Sequence, residues 1–264
     1  AAQSRDGRLL RYYTPLNGER RYFGRDDYCC PNNFRRGIAR LPRNVFYTKR
    51  NALYANLYTP CTAVADLGTV KVAVREETDY PSSGKVKFTL DPAEAACFTF
   101  RLRIPRWVKD PSVKINGLEV TYKYGPGQLL NLTRVWRKGD RVELGFPMPV
   151  RTVLGRKRQS GRFAVMRGPV VYALDESTME SGWRGFVDCL ELDCEREMRW
   201  TGKGVEVEFF ENRATRPYHR YELLPFASDR RFRTYFPTKG DCPRAVADEL
   251  FGLSYTAARV PEGK

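Results

Sequence analysis

A chain of 264 residues is long enough for one large or two modest domains with cores of their own. At 42% hydrophobic it has no apolar run near the ~20 residues of a membrane span, so a soluble protein without a membrane span is expected. The net charge of +15 suits an anionic partner such as nucleic acid, phospholipid or acidic polysaccharide. The basic residues are not gathered in one block, however. "RLRIPRWVK" and "RRFRTYF" interleave them with apolar residues, as a solvated sheet face does, which argues against a nucleic-acid binder.

The first ten residues, "AAQSRDGRLL", lack the apolar stretch of a signal peptide, and the absence of Met leaves the N-terminus readable as a cut end. Bacterial cytoplasm and periplasm both stay open. Cysteines stand at 29, 30, 61, 97, 189, 194 and 242, an odd number without regular spacing. That is a poor disulfide framework, so mostly reduced thiols are expected, with at least one free, metal-bound or paired to another chain.

"DDYCCPNNFRRGIARLP", Asp26 to Pro42, holds the clearest helical pattern. Phe34, Ile38 and Leu41 fall on one face, Pro31 suits the first turn and Pro42 the stop, so a helix is predicted over 31–41. Gly37 costs roughly 1 kcal/mol relative to Ala, so packing is expected to hold this short helix in place. Cys29 and Cys30 lie at or just before its N-terminus. Unpaired backbone N–H groups and the positive end of the dipole there favour thiolates, which are nucleophiles and soft zinc ligands. Asp26 and Asp27 oppose a further anion, and a bound cation would resolve the conflict. A disulfide between neighbours would be strained. Inert buried thiols are the plainer alternative.

Beyond the helix the period changes from 3.6 to 2. Strands are predicted at 52–58, 69–77, 85–90, 97–105, 112–116, 128–135 and 141–146, separated by turn signals such as "PSSG", "NG" at Asn116–Gly117 and "KGD". Short strands at this spacing point to an antiparallel sandwich. Residues 146–162, with two prolines and a basic cluster, read as a linker or a long crossing loop. A second β group follows at 162–175, 204–210, 221–227 and 231–236; 241–264 give no pattern.

Other chemistry is thin. None of the adjacent pairs Asp26–Asp27, Glu76–Glu77 and Asp175–Glu176 is read as a catalytic pair; Glu76 and Glu77, as neighbouring strand residues, point to opposite faces and do not converge. Asp26 and Asp27 remain candidates for a site mouth. His219 is the only histidine, which excludes a Ser-His-Asp triad and multi-histidine metal sites within the chain. Cys189 and Cys194 are read as core or surface thiols rather than a metal pair. Tyr12, Tyr13, Tyr22 and Phe23 are read as packing residues rather than sugar platforms.

"YCCPNNFRRGIARLP" followed by "ALYANLYTP" resembles glycoside hydrolase family 127, the β-L-arabinofuranosidase type. So do "EETDYPSSGKVKFTL", "FTFRLRIPRWV", "VKINGLEV", "VWRKGDRVELGFPMPVR" and "GRFAVMRGPVVYALDE", in the family's order, across about residues 9–236. The resemblance implies a mainly β fold: antiparallel β-sandwich domains preceded by the terminal helix of an otherwise missing (α/α)6 barrel. The implied domains are 1–45 with the Cys-Cys motif, sandwiches at 46–155 and 156–240, and a tail at 241–264. It also implies retaining hydrolysis in which Cys29 is nucleophile and zinc ligand and Cys30 a second zinc ligand. The family's acid/base glutamate, zinc-binding glutamate and third cysteine have no match among the 28 residues before Cys29. The expectation is therefore a portion of a zinc-dependent enzyme acting on arabinose-containing glycans, inactive by itself, with the barrel as its missing partner and homo-oligomer formation left open. The competing reading is a non-catalytic β-sandwich module for glycan binding or domain packing.

Overall fold

The computed structural model describes residues 3–4, 6–11, 14–18, 22, 29–121, 127–155, 159–179, 190–193, 196–211, 219–227 and 232–238. Its contacts divide the chain into two units, Ala1–Asn33 with Pro149–Lys264, and Phe34–Met148. Strand β1 (Asn17–Gly18) precedes helix α1 (Cys29–Arg40), which tightens into a 3-10 turn at Leu41–Asn44. The helix thus begins two residues earlier than the apolar pattern predicts. The expected packing is missing: Phe34, Ile38 and Leu41 are 39%, 49% and 44% exposed. Their stripe is formed, but nothing among the described residues buries it.

Among the described residues of Phe34–Met148, ten strands follow in chain order: β2 (Phe46–Thr48), β3 (Ala52–Ala55), β4 (Cys61–Asp66), β5 (Lys71–Thr78), β6 (Lys85–Pro92), β7 (Ala96–Arg103), β8 (Ser112–Ile115), β9 (Leu118–Glu119), β10 (Leu129–Trp136) and β11 (Asp140–Gly145). They form two sheets, β10-β7-β3-β2 and β4-β5-β6-β11-β8-β9. All pairs are antiparallel except β3 with β7. The alternating residues are the cause: Val72, Val74, Phe88, Leu90, Phe98, Phe100, Leu130 and Leu132 are buried in one shared core. Phe88 meets Phe100 edge to face at 5.2 Å, and buried Trp136 donates its Nε1–H to the Phe98 carbonyl at 3.1 Å. Asn116 and Gly117 both take positive φ, 52° and 82°, as the tight turn between β8 and β9 requires.

The second β group comprises β12 (Val150–Leu154), β13 (Arg162–Arg167), β14 (Val170–Asp175), β15 (Leu190–Leu192), β16 (Arg199–Trp200), β17 (Val205–Glu211), β18 (His219–Pro225), β19 (Phe232–Arg233) and β20 (Phe236–Pro237). With β1 they make one sheet whose main order is β1-β19-β14-β18-β17-β15. Phe163, Val165, Leu174, Phe209, Leu223 and Phe236 form its core. β12 lies inside the segment expected to be a linker. Pro147 and Pro149 come just before the strand and leave its hydrogen bonds to β13 intact, from Val150–Arg167 to Leu154–Phe163. The stretch 162–175 is a hairpin, broken at Gly168–Pro169 into two strands.

Candidate functional site

Cys29 and Cys30 occupy the first turn of α1, both exposed and both free. The first four N–H groups of a helix have no acceptor within it, so this turn is the electropositive end. Pro31, at the third position, lacks an N–H that would need one. No acidic residue sits in the first turn of α1. The two Sγ atoms are 3.8 Å apart, far beyond the ~2.05 Å of a disulfide. Two sulfurs each ~2.3 Å from a tetrahedral zinc ion stand about 3.8 Å apart, so the donor pair fits that ion. It supplies half a shell. Among the described residues no group of three or more His, Cys, Asp or Glu side chains comes together.

The remaining candidates disperse. Glu77 is exposed on the outer face of its sheet, while Glu76 points into the core at 2% exposure, so the pair does diverge. Asp175 is buried and accepts the Ser177 N–H at 3.0 Å, capping a 3-10 turn at Glu176–Thr178; Glu176 lies 3.5 Å from Arg233. Both are structural. His219 lies on β18 with its ring stacked on Tyr221 at 5.8 Å, a sheet-face position. One face of the Tyr22 ring is covered by the Arg11 guanidinium at 4.1 Å. Tyr12, Tyr13, Phe23, Asp26, Asp27, Cys189, Cys194, Cys242 and the 241–264 tail lie outside the described residues.

Within the Glu76–Glu77 pair, Glu76 is unusual for its burial. Glu76 continues the inward row Val72, Val74, Glu76 of β5, so parity alone marks it as a carboxyl in the core. Its Oε1 accepts the Thr59 N–H at 3.0 Å, and its Oε2 has no partner among the described residues. Burial pushes its pKa up to about 8. Cys61, directly across the strand pair, is also pushed up, by burial first and then by Glu76.

Comparison with known proteins agrees with this architecture. Residues 52–148 match the family model of the β-L-arabinofuranosidase GH127 middle domain. The non-reducing end β-L-arabinofuranosidase of Bifidobacterium longum is 29% identical over 160 residues, which cover 56% of this chain and 23% of that protein. The crystal structure of a GH127 β-L-arabinofuranosidase from Geobacillus stearothermophilus T6 superposes with a TM-score of 0.73 at 25% identity, covering 90% of this chain and 44% of that one. A further GH127 β-arabinofuranosidase gives 0.73 at 27% identity, covering 93% and 44%. The chain thus spans about a quarter of the curated relative and under half of these solved ones. The chain is mainly β, its residues 52–148 match the GH127 middle domain, and the resemblance to that family seen in the sequence holds.

Proposed function

We propose that this chain is the C-terminal portion of a retaining, zinc-dependent glycoside hydrolase that releases β-L-arabinofuranosyl units from arabinose-containing glycans. The supporting observation is the pair of exposed sulfurs, 3.8 Å apart on the first turn of α1, without a third ligand among the described residues. Cys29 is the nucleophile and a metal ligand, and Cys30 is a second ligand. Zinc, when bound, keeps sulfur ionised at neutral pH. The Cys29 thiolate attacks the anomeric carbon as the glycosidic C–O bond breaks, giving a thioglycoside. Water then attacks the same carbon, the C–S bond breaks and the thiolate is restored.

Retention needs an acid to protonate the leaving oxygen and a base to deprotonate the water. No carboxyl group among the described residues accompanies the sulfurs, so the acid/base and the remaining zinc ligands come from the helical barrel. The same barrel is the cover for Phe34, Ile38 and Leu41. The chain alone is therefore inactive. A protein that includes the barrel should hydrolyse a β-L-arabinofuranoside, and Cys29→Ala should remove the activity. Cys29→Ala retaining more than about a hundredth of the rate would refute the nucleophile assignment.

A further inference from the structure

A cleft of about 340 Å³ opens on the outer face of the four-stranded sheet, within Phe34–Met148. Lys49, Arg50 and Asn51 line it from the turn between β2 and β3, and Tyr54, Thr99 and Arg101 line it from β3 and β7. Three cations meet there without a carboxylate. Among the described residues none of the three makes an ion pair, although the protein pairs Arg75 and Lys87 with Glu77 and Arg196 with Glu208 elsewhere. Positive charge concentrated in a concave wall draws anions.

The wall is built in advance. Parallel pairing of β3 with β7 sets Tyr54 opposite Arg101. The guanidinium lies 4.9 Å from the Tyr54 ring and donates from Nη1 to the Tyr54 hydroxyl at 2.6 Å. That bond leaves the other edge of Arg101 unused: Nε is buried without an acceptor, and Nη2 has no partner among the described residues. Nε–H and Nη2–H together form the edge that grips a carboxylate through two parallel bonds. Asn51 is fixed at both ends of its amide, donating to the Cys97 carbonyl at 2.7 Å and accepting from the Thr69 hydroxyl at 3.0 Å. Arg50 sits at φ 52°, a left-handed position that Gly or Asn would hold at lower cost. Strain kept at an exposed turn is a reason to look for a use of that side chain.

The geometry points to a binding site for the carboxylate of an acidic sugar, a uronate carried in a glycan chain. Arg101 holds the carboxylate by its Nε–Nη2 edge, Lys49 and Arg50 supply the field, and the Tyr54 and Thr99 hydroxyls face sugar hydroxyls. A single polar cleft suits one or two sugar rings better than a nucleic-acid backbone, which is followed by an extended groove with stacking platforms. The inference draws on the resemblance to a glycoside hydrolase family and is independent of the thiol mechanism.

The test is titration calorimetry of the whole chain at about 0.15 M salt, using trigalacturonate, neutral galactotriose, inorganic phosphate and a single-stranded oligonucleotide. Trigalacturonate should bind one-to-one, at least ~10-fold tighter than galactotriose. Arg101→Gln should weaken it ~10-fold or more, and Arg50→Gly about 3-fold. Glycine suits φ 52°, so Arg50→Gly should keep or raise the melting temperature, which separates a lost site from a lost fold. Lys138→Gln, an exposed cation outside the cleft, should change nothing. The site is overturned if galactotriose, phosphate or the oligonucleotide binds as tightly as trigalacturonate. Unchanged binding in Arg101→Gln and Arg50→Gly, or an equal loss in Lys138→Gln, overturns it too. Uronate binding by a protein whose barrel-containing form hydrolyses nothing would leave this site standing and remove the thiol mechanism alone.

Discussion

Helix α1 and the sandwich of Phe34–Met148 follow opposite logics. The sandwich closes on itself: Leu53, Phe88, Phe100, Leu132 and Trp136 are wholly buried, and two sheets share them. The helix carries the two exposed sulfurs yet leaves its apolar stripe open, and a twelve-residue helix containing Gly37 is marginal without packing. Stability is thus concentrated away from the cysteine pair. The two cysteines stand on an element whose apolar stripe no described residue covers.

The contrast can be broken most strongly from the sandwich side. Trp136→Ala removes a wholly buried indole and its bond to the Phe98 carbonyl, and should destabilise the chain by about 3–5 kcal/mol in denaturant unfolding. A loss under about 1 kcal/mol would mean that the core is not shared as described.

Glu76 gives the next largest effect and reverses its sign. Folded, its pKa is about 8, against 4.5 as the ordinary value. Because the folded value is raised, the stability that goes with neutral Glu76 is complete below about pH 4.5. It declines as pH rises through about 8, where the core must hold an ion. Glu76→Gln keeps an acceptor for the Thr59 N–H. It should match the parent at pH 4 and exceed it by roughly 1–2 kcal/mol near pH 8.5. Equal pH profiles for parent and variant would show that Glu76 ionises normally.

The smallest effect belongs to the helix. Ile38→Ala should change the stability of this chain by less than about 0.5 kcal/mol, since the side chain is half exposed. In the barrel-containing protein the same change should cost about 2 kcal/mol or more, as at a buried site. Equal small losses in both would mean that the stripe is never covered.

Much of this architecture was legible because each sandwich strand buries one face. Val72 and Val74, or Phe98, Phe100 and Leu102, alternate with polar neighbours and place themselves inward. β2 and β4 were missed for physical reasons. Phe46–Thr48 is three residues caught between a 3-10 turn and a basic turn, and Cys61–Asp66 is an edge strand that exposes Val64. The parallel pairing of β3 with β7 leaves no periodic trace, so a cleft that joins Tyr54 to Arg101 was invisible in the sequence. The cysteine pair was legible as a helix-end thiol pair. Its 3.8 Å separation and the open stripe beside it required coordinates.

The central claim is that sulfur 29 and sulfur 30 hold one zinc ion together with ligands from the barrel. Metal content and zinc-edge X-ray absorption on the barrel-containing protein test it directly. The account predicts one zinc per chain with sulfur neighbours at ~2.3 Å, lost in both Cys29→Ala and Cys30→Ala. A metal-free protein, or zinc that stays in place in both variants, would contradict it.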